Sequence, residues 1–173
     1  MIDRLLHRPI KIILLFSILI GCAKDQPLLS AKLEGKKENW SLYRIDTQSG
    51  DDIGIWVDSI GRISSIWVGR PGHVQKISLN DSTGLVQALL SYDKSNNING
   101  RAYYFYEESG NLEADYNYIN GVKTGNAVEY HDSTALLKTT MLYNEEGQMY
   151  FRLRYDREGN ILSKEGSDGR GNQ

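Results

Sequence analysis

The chain has 173 residues, 40% of them hydrophobic, with 3 prolines, 17 glycines and a mean hydropathy of -0.46, which fits one modest, turn-rich folded domain. A formal net charge of -2 disfavours nucleic acid or an anionic lipid surface as the main partner, because both are normally met by a basic patch. Eleven tyrosines against three phenylalanines suit strands whose aromatic faces are half exposed.

Arg4, Arg8 and Lys11 precede an apolar run over 12–20. A bilayer span takes about 20 residues, so this run has the size of a signal-peptide core instead. It ends in Leu19-Ile20-Gly21-Cys22, and Cys22 is the only cysteine. The pattern resembles the lipobox of bacterial lipoproteins. That resemblance implies cleavage between Gly21 and Cys22, with acyl chains of the palmitate kind on Cys22. The alternative is a short core helix ending on a buried cysteine. Several acyl chains anchor stably where one does not. The mature chain would then lie on a membrane without spanning it, with a covalent lipid and no other cofactor. Residues 1–21 hold three of the 20 basic and one of the 22 acidic residues, so the remainder carries 17 minus 21, or -4. Ala23-Lys24-Asp25-Gln26-Pro27 resembles the export context of Gram-negative lipoproteins and points to the outer membrane, its face left open.

Residues 22–39 lack periodicity and read as a lipidated flexible tether, with a repeat domain over 40–166 and a polar disordered tail over 167–173. Ile53–Val57 and Ile63–Val68 flank a glycine turn as strand, turn, strand. Arg70-Pro71-Gly72 breaks that run. Val86, Ala88, Leu90 and Tyr92 then share one parity, as do Leu112, Ala114, Tyr116 and Tyr118, and later Leu137, Thr139, Met141 and Tyr143. Phe151, Leu153 and Tyr155 alternate with Arg152 and Arg154.

One phrase recurs: an aromatic lead, a polar turn and an aliphatic exit. It runs Tyr106 to Leu112, Tyr130 to Leu136 and Tyr155 to Ile161, clearest over 99–166. Trp56 and Leu79 lead two weaker units, giving five units and ten strands. Period-two patterning with short turns predicts an all-β fold, an antiparallel β-meander of repeated hairpins in an elongated, twisted sheet.

The segment Gly100-Arg-Ala-Tyr-Tyr-Phe-Tyr106-Glu-Glu-Ser-Gly110-Asn-Leu112, with Tyr118-Ile-Asn-Gly121-Val-Lys-Thr-Gly125, resembles the variant MORN repeat (membrane occupation and recognition nexus) of bacteria. The chain departs from that pattern at Thr134, where the turn glycine is missing. The resemblance implies a hairpin-repeat sheet and no shared catalytic set. Many bacterial chains of this group are labelled antitoxins of toxin–antitoxin systems.

His131-Asp132-Ser133 does not make a triad, which is convergent geometry from separated positions. The trio reads as turn chemistry, and no catalytic residue or metal site is expected. Gly50-Asp51-Asp52 and Asn80-Asp81-Ser82 lack the ligand spacing of a calcium loop. Tyr103, Tyr106, Tyr116, Tyr118, Tyr130, Tyr143 and Tyr155 are the candidate binding surface, with sheet-stabilising cross-strand pairs as their other reading. The expectation is a non-enzymatic, membrane-anchored envelope lipoprotein that binds a protein or a surface polymer. The alternative is an antitoxin or immunity protein that covers a toxin.

Overall fold

Short polar turns leave each strand only its sequence neighbours to pair with, and the sheet is built accordingly. The computed structural model describes residues 31–37, 40–47, 51–70 and 72–166. The signal segment, Gly21, Cys22 and the 167–173 tail lie outside them. The strands are β1 (Ala31–Lys37), β2 (Trp40–Asp46), β3 (Asp52–Asp58), β4 (Ile63–Arg70), β5 (His73–Leu79), β6 (Val86–Asp93) and β7 (Ile98–Phe105). They continue as β8 (Leu112–Ile119), β9 (Val122–Lys123), β10 (Gly125–Tyr130), β11 (Leu137–Tyr143), β12 (Met149–Tyr155) and β13 (Ile161–Gly166).

All thirteen form one antiparallel sheet in chain order, open at β1 and β13, with β9 hanging off β8. Ten of them are the strands of the five expected units; β1, β2 and β9 are additional. Regular structure is thus already present before Trp40: residues 31–37 of the expected tether form β1 and are hydrogen-bonded to β2. Each strand packs chiefly against the strands it is bonded to, so the described residues form a single layer.

The repeat lies in the turns along one edge. After β5, β7 and β10 the turn closes with Asn80 N–H donating to Leu85 O, Tyr106 N–H to Asn111 O, and His131 N–H to Leu136 O. In these turns Gly84, Gly110 and Ala135 take φ of 73°, 73° and 54°. The missing glycine thus belongs at Ala135, one place beyond Thr134, and a Cβ sits where the left-handed region favours none. After β3 and β12 the turn is one residue shorter. There Asp58 Oδ1 accepts from Ile60 and Arg62 N–H, and Asp156 Oδ1 from Glu158 and Asn160 N–H.

Every one of these turns is followed by a bulge that leaves one residue unpaired: Ser64, Gln87, Glu113, Lys138 and Leu162. A one-residue slip changes faces. The register therefore puts Val86, Leu112 and Leu137 opposite Leu79, Phe105 and Tyr130, on the other side from their expected parity mates. It also makes Phe105, not Tyr106, the counterpart of Tyr130 and Tyr155, and Val57, not Trp56, the counterpart in the first unit. Tyr106 opens its turn instead and donates its hydroxyl to Tyr130 O at 2.7 Å.

Successive turns on this edge are tied together. Arg62 Nη1 donates to Asp81 O at 2.6 Å, Asn80 Nδ2 to Glu107 Oε1 at 2.5 Å, and His131 Nε2 lies 3.1 Å from Tyr155 O.

The buried side changes along the sheet. In β2–β4, Ile45, Ile53, Ile55 and Val57 are buried on one face with Tyr43, Ile63, Ile66 and Val68 against them. Burying such a side chain contributes about 1.5–3 kcal/mol. On the opposite face Trp67 lies over Gly54, where an added Cβ would come 2.0 Å from Trp67 Cε2. From β6 to β11 it is this second face that buries Ala88, Ala102, Ala114, Ala127 and Met141. The register links the two halves: Trp56 faces Ser65, then Ser78, Ala88, Tyr104 and Ala114.

Candidate functional site

The second face of β7–β11 carries the aromatic side chains together. Period-two alternation puts Tyr116 and Tyr118 of β8 on this face beside Ala114. Ala102 of β7, opposite Tyr116, and Ala127 of β10 leave room for the rings between them. Tyr104 and Tyr116 meet edge to face at 5.7 Å between centroids and 63°, and Tyr116 and Tyr118 at 6.4 Å and 82°. Such pairs contribute about 0.5–1.5 kcal/mol beyond area burial.

β9 brings in the cation. The Asn120-Gly121 turn has φ of 51° and 83° and sends the chain back along β8, so that Lys123 stands opposite Tyr118. Gly121 N–H donates to Ile98 O at 2.8 Å and Thr124 N–H to Asn117 O at 2.9 Å, fixing the detour. Direct pairing of β8 with β10 is thereby confined to Asp115 with Val128 and Ala114 with Glu129. The Lys123 Nζ sits 3.6 Å from the Tyr116 ring centroid and 5.9 Å from that of Tyr143. Tyr116 donates its hydroxyl to Glu129 Oε1 at 2.8 Å.

Tyr104, Tyr116, Tyr118, Lys123 and Glu129 line an open cleft of about 300 Å³, completed by Ala114, Glu113 and Lys138, with Tyr143 on the same face beside it. Glu113 and Lys138 are two of the bulge residues, so the irregularity that curves the strand also delivers charge to the cleft.

Burial pushes the Tyr116 hydroxyl well above the ordinary tyrosine value, and its bond to Glu129 adds to the rise. Tyr118 is raised by burial and then by Tyr104, and Tyr143 by burial and then by Glu129. Burial lowers the Lys123 ammonium, with the Glu129 charge opposing. The tyrosines are hydrogen-bonding neutral rings at physiological pH.

The seven candidate tyrosines divide three ways. Tyr116, Tyr118 and Tyr143 share the cleft face. Tyr103 is on the other face, opposite Leu89 and Asp115, with the Arg101 guanidinium 5.9 Å from its ring. Tyr106, Tyr130 and Tyr155 belong to the laced edge, where the Tyr130 and Tyr155 carbonyls receive Tyr106 and His131. Sequence reasoning missed Tyr104, Lys123 and Glu129. Tyr103 and Tyr104 are adjacent, and only the register tells which of them faces Tyr116.

The acidic turns are otherwise occupied. Asp52 pairs with Arg44 at 2.6 Å and Asp51 with Arg70 at 2.8 Å. Asn80 Oδ1 accepts from Ser82 and Thr83 N–H. Asp132 Oδ1 accepts from the Ser109 hydroxyl and from Asn111 Nδ2, so the bonds of His131 and Asp132 run to neighbouring turns and not to each other.

No protein-family model matches this chain. No curated protein matches it either.

Proposed function

We propose that the protein is a non-enzymatic envelope lipoprotein, anchored through Cys22 to the outer membrane of a Gram-negative bacterium. Its variant MORN-like sheet serves as a binding module for a protein or a surface polymer. The observation that carries this reading is the cleft: Tyr116 and Tyr118 with Tyr104, Lys123 and Glu129, and Tyr143 beside them on the same open sheet face, so that aromatic and charged groups stand side by side. Rigid aromatic surface rimmed by charge is how recognition patches are composed. The test is capture from an envelope fraction by the tagged full chain. Tyr116→Ala with Tyr143→Ala abolishes capture under this reading; undiminished capture by the pair rejects it. Cys22→Ser releases the protein into the soluble fraction, and continued membrane attachment would refute the anchor.

A second reading, an antitoxin or immunity protein, is favoured by the open edge at β13. There Ile161 and Leu162 are 63% and 66% exposed, on a strand edge that has no partner among the described residues and that a target strand could join. Rescue of cells from a toxin encoded next to this gene, lost on Leu162→Lys, is its expected signature.

A further inference from the structure

We infer that the tyrosine cleft is a saccharide site, taking one pyranose unit of a neutral glycan; this rests on the binding-module reading and names its ligand class. The cleft brings together two ammonium groups, Lys123 and Lys138, and two carboxylates, Glu113 and Glu129. None of the four takes part in an ion pair among the described residues. Their charges cancel, so neither a polyanion nor a polycation gains from the site as a whole. What is offered instead is a set of donors and acceptors at close quarters, which vicinal hydroxyls satisfy in both senses. Lys123 supplies N–H donors, the carboxylates supply acceptors, and the tyrosine hydroxyls serve as either.

The aromatic surface fits the same ligand. The cleft volume of about 300 Å³ stands at the small end of ligand sites, which run roughly 300–1,000 Å³. Tyr116 has Lys123 over its ring, which leaves Tyr104, half-buried and edge-on to Tyr116, to meet the C–H face of a sugar.

A protein ligand fits less well on three grounds. Interface cores are depleted of Lys and Glu, whereas these supply four of the residues around this cleft. The only aliphatic side chain in the lining is Ala114, so there is no pocket for an apolar anchor. The cleft also sits over β7–β11 in the middle of the sheet, away from the edges where a peptide strand could be added.

The test is calorimetric titration of the detergent-solubilised full chain with neutral tetrasaccharides of glucose and of N-acetylglucosamine, and with a uronic-acid tetrasaccharide as anionic comparator. Saturable binding of a neutral probe is expected, with a Kd on the order of 1 mM. Tyr104→Ala and Lys123→Met each weaken it about tenfold, while Tyr104→Phe and Lys123→Arg retain most of it; thermal melts confirm that the variants fold. The inference is overturned by no saturable heat with either neutral probe, by preference for the uronic probe, or by binding indifferent to Tyr104→Ala and Lys123→Met. A parallel arm separates this from the broader reading. Envelope capture that persists, needs Tyr116 and Tyr143, and is destroyed by protease but not displaced by sugar removes the saccharide and keeps the binding module. Capture that never depends on those tyrosines removes both.

Discussion

β2–β4 and β6–β11 belong to one sheet yet bury opposite sides. In the first region β-branched residues pack face to face, with Ile55 at 2% exposure. In the second, alanines as deeply covered lie among tyrosine rings, with Ala102 at 0%. The first region is a core in the ordinary sense, held by aliphatic area. The second is an arrangement of small and large residues in which Tyr118 is buried while the Tyr104, Tyr116 and Tyr143 rings remain partly exposed and so remain available. Among the described residues the sheet has no second layer against which to hide apolar surface, and the chain meets this once with isoleucines and once with alanine–tyrosine alternation. The second solution leaves a surface on which recognition chemistry can be built.

The largest expected effect tests the aliphatic side. Ile55→Ala should cost about 3 kcal/mol in denaturant unfolding, from lost transfer energy and the cavity left behind. A loss under about 1 kcal/mol would mean that this cluster is not the core of its region. On the other side the reverse change is the damaging one. Ala102→Leu should cost about 2 kcal/mol by overpacking against Tyr116 and Leu90. Arg101→Ala, next in sequence but on the opposite face with a side chain 61% exposed, should cost less than about 1 kcal/mol. Equal effects at 101 and 102 would erase the contrast between the faces.

Alkaline pH separates the regions by chemistry. Tyr116, Tyr118 and Tyr143 are all raised from the ordinary value of 10.0 by burial, so the folded chain keeps their protons where the unfolded chain loses them. Their contribution is complete below pH 10.0 and is lost as pH climbs through the folded values. Lys123 is shifted down, so its contribution grows with pH toward its unfolded value of 10.5, but it is one group against three. The melting temperature should therefore fall above pH 10, and the fall should shrink in the Tyr116→Phe, Tyr118→Phe double variant. An unchanged slope would show that these hydroxyls are not linked to folding.

The smallest effect concerns the turns. Ala135→Gly should stabilise by about 0.5–1 kcal/mol by relieving a left-handed alanine, whereas Gly110→Ala at the matching place should lose about 1 kcal/mol. Thermal melts of the two variants moving in the same direction would dissolve the equivalence of these turns.

Much of the fold was legible because parity and turn chemistry are local. Tyr116 and Tyr118, or Phe151 and Leu153 against Arg152 and Arg154, declare a shared or opposed face from sequence alone. What escaped depends on register. Each bulge inserts one residue and reverses the parity, so the face of Leu112 relative to Ala114, or of Tyr103 relative to Tyr116, cannot be counted along the chain. The turn after β7 is one residue longer than the turn after β12, which is why Tyr106, four residues before Gly110, resembled Tyr155, four before Gly159, in sequence while Phe105 matches it in space. β1 carries charge and a glycine where strands usually show alternation, and Lys123 owes its place to a two-residue strand too short for any periodic signal.

The lacing of each turn to the next along one edge has a consequence for how such a chain can change its length. Phe105, Tyr130 and Tyr155 stand 25 residues apart each time, and the ties from Tyr106 to Tyr130 and from His131 to Tyr155 both reach 24 residues ahead. A partial insertion throws these ties out of step, while a whole hairpin unit added or removed lets them form again with the next turn along. Each such step lengthens or shortens the sheet by about 10 Å, two strand spacings. The sheet is thus a ruler with hairpin-sized gradations.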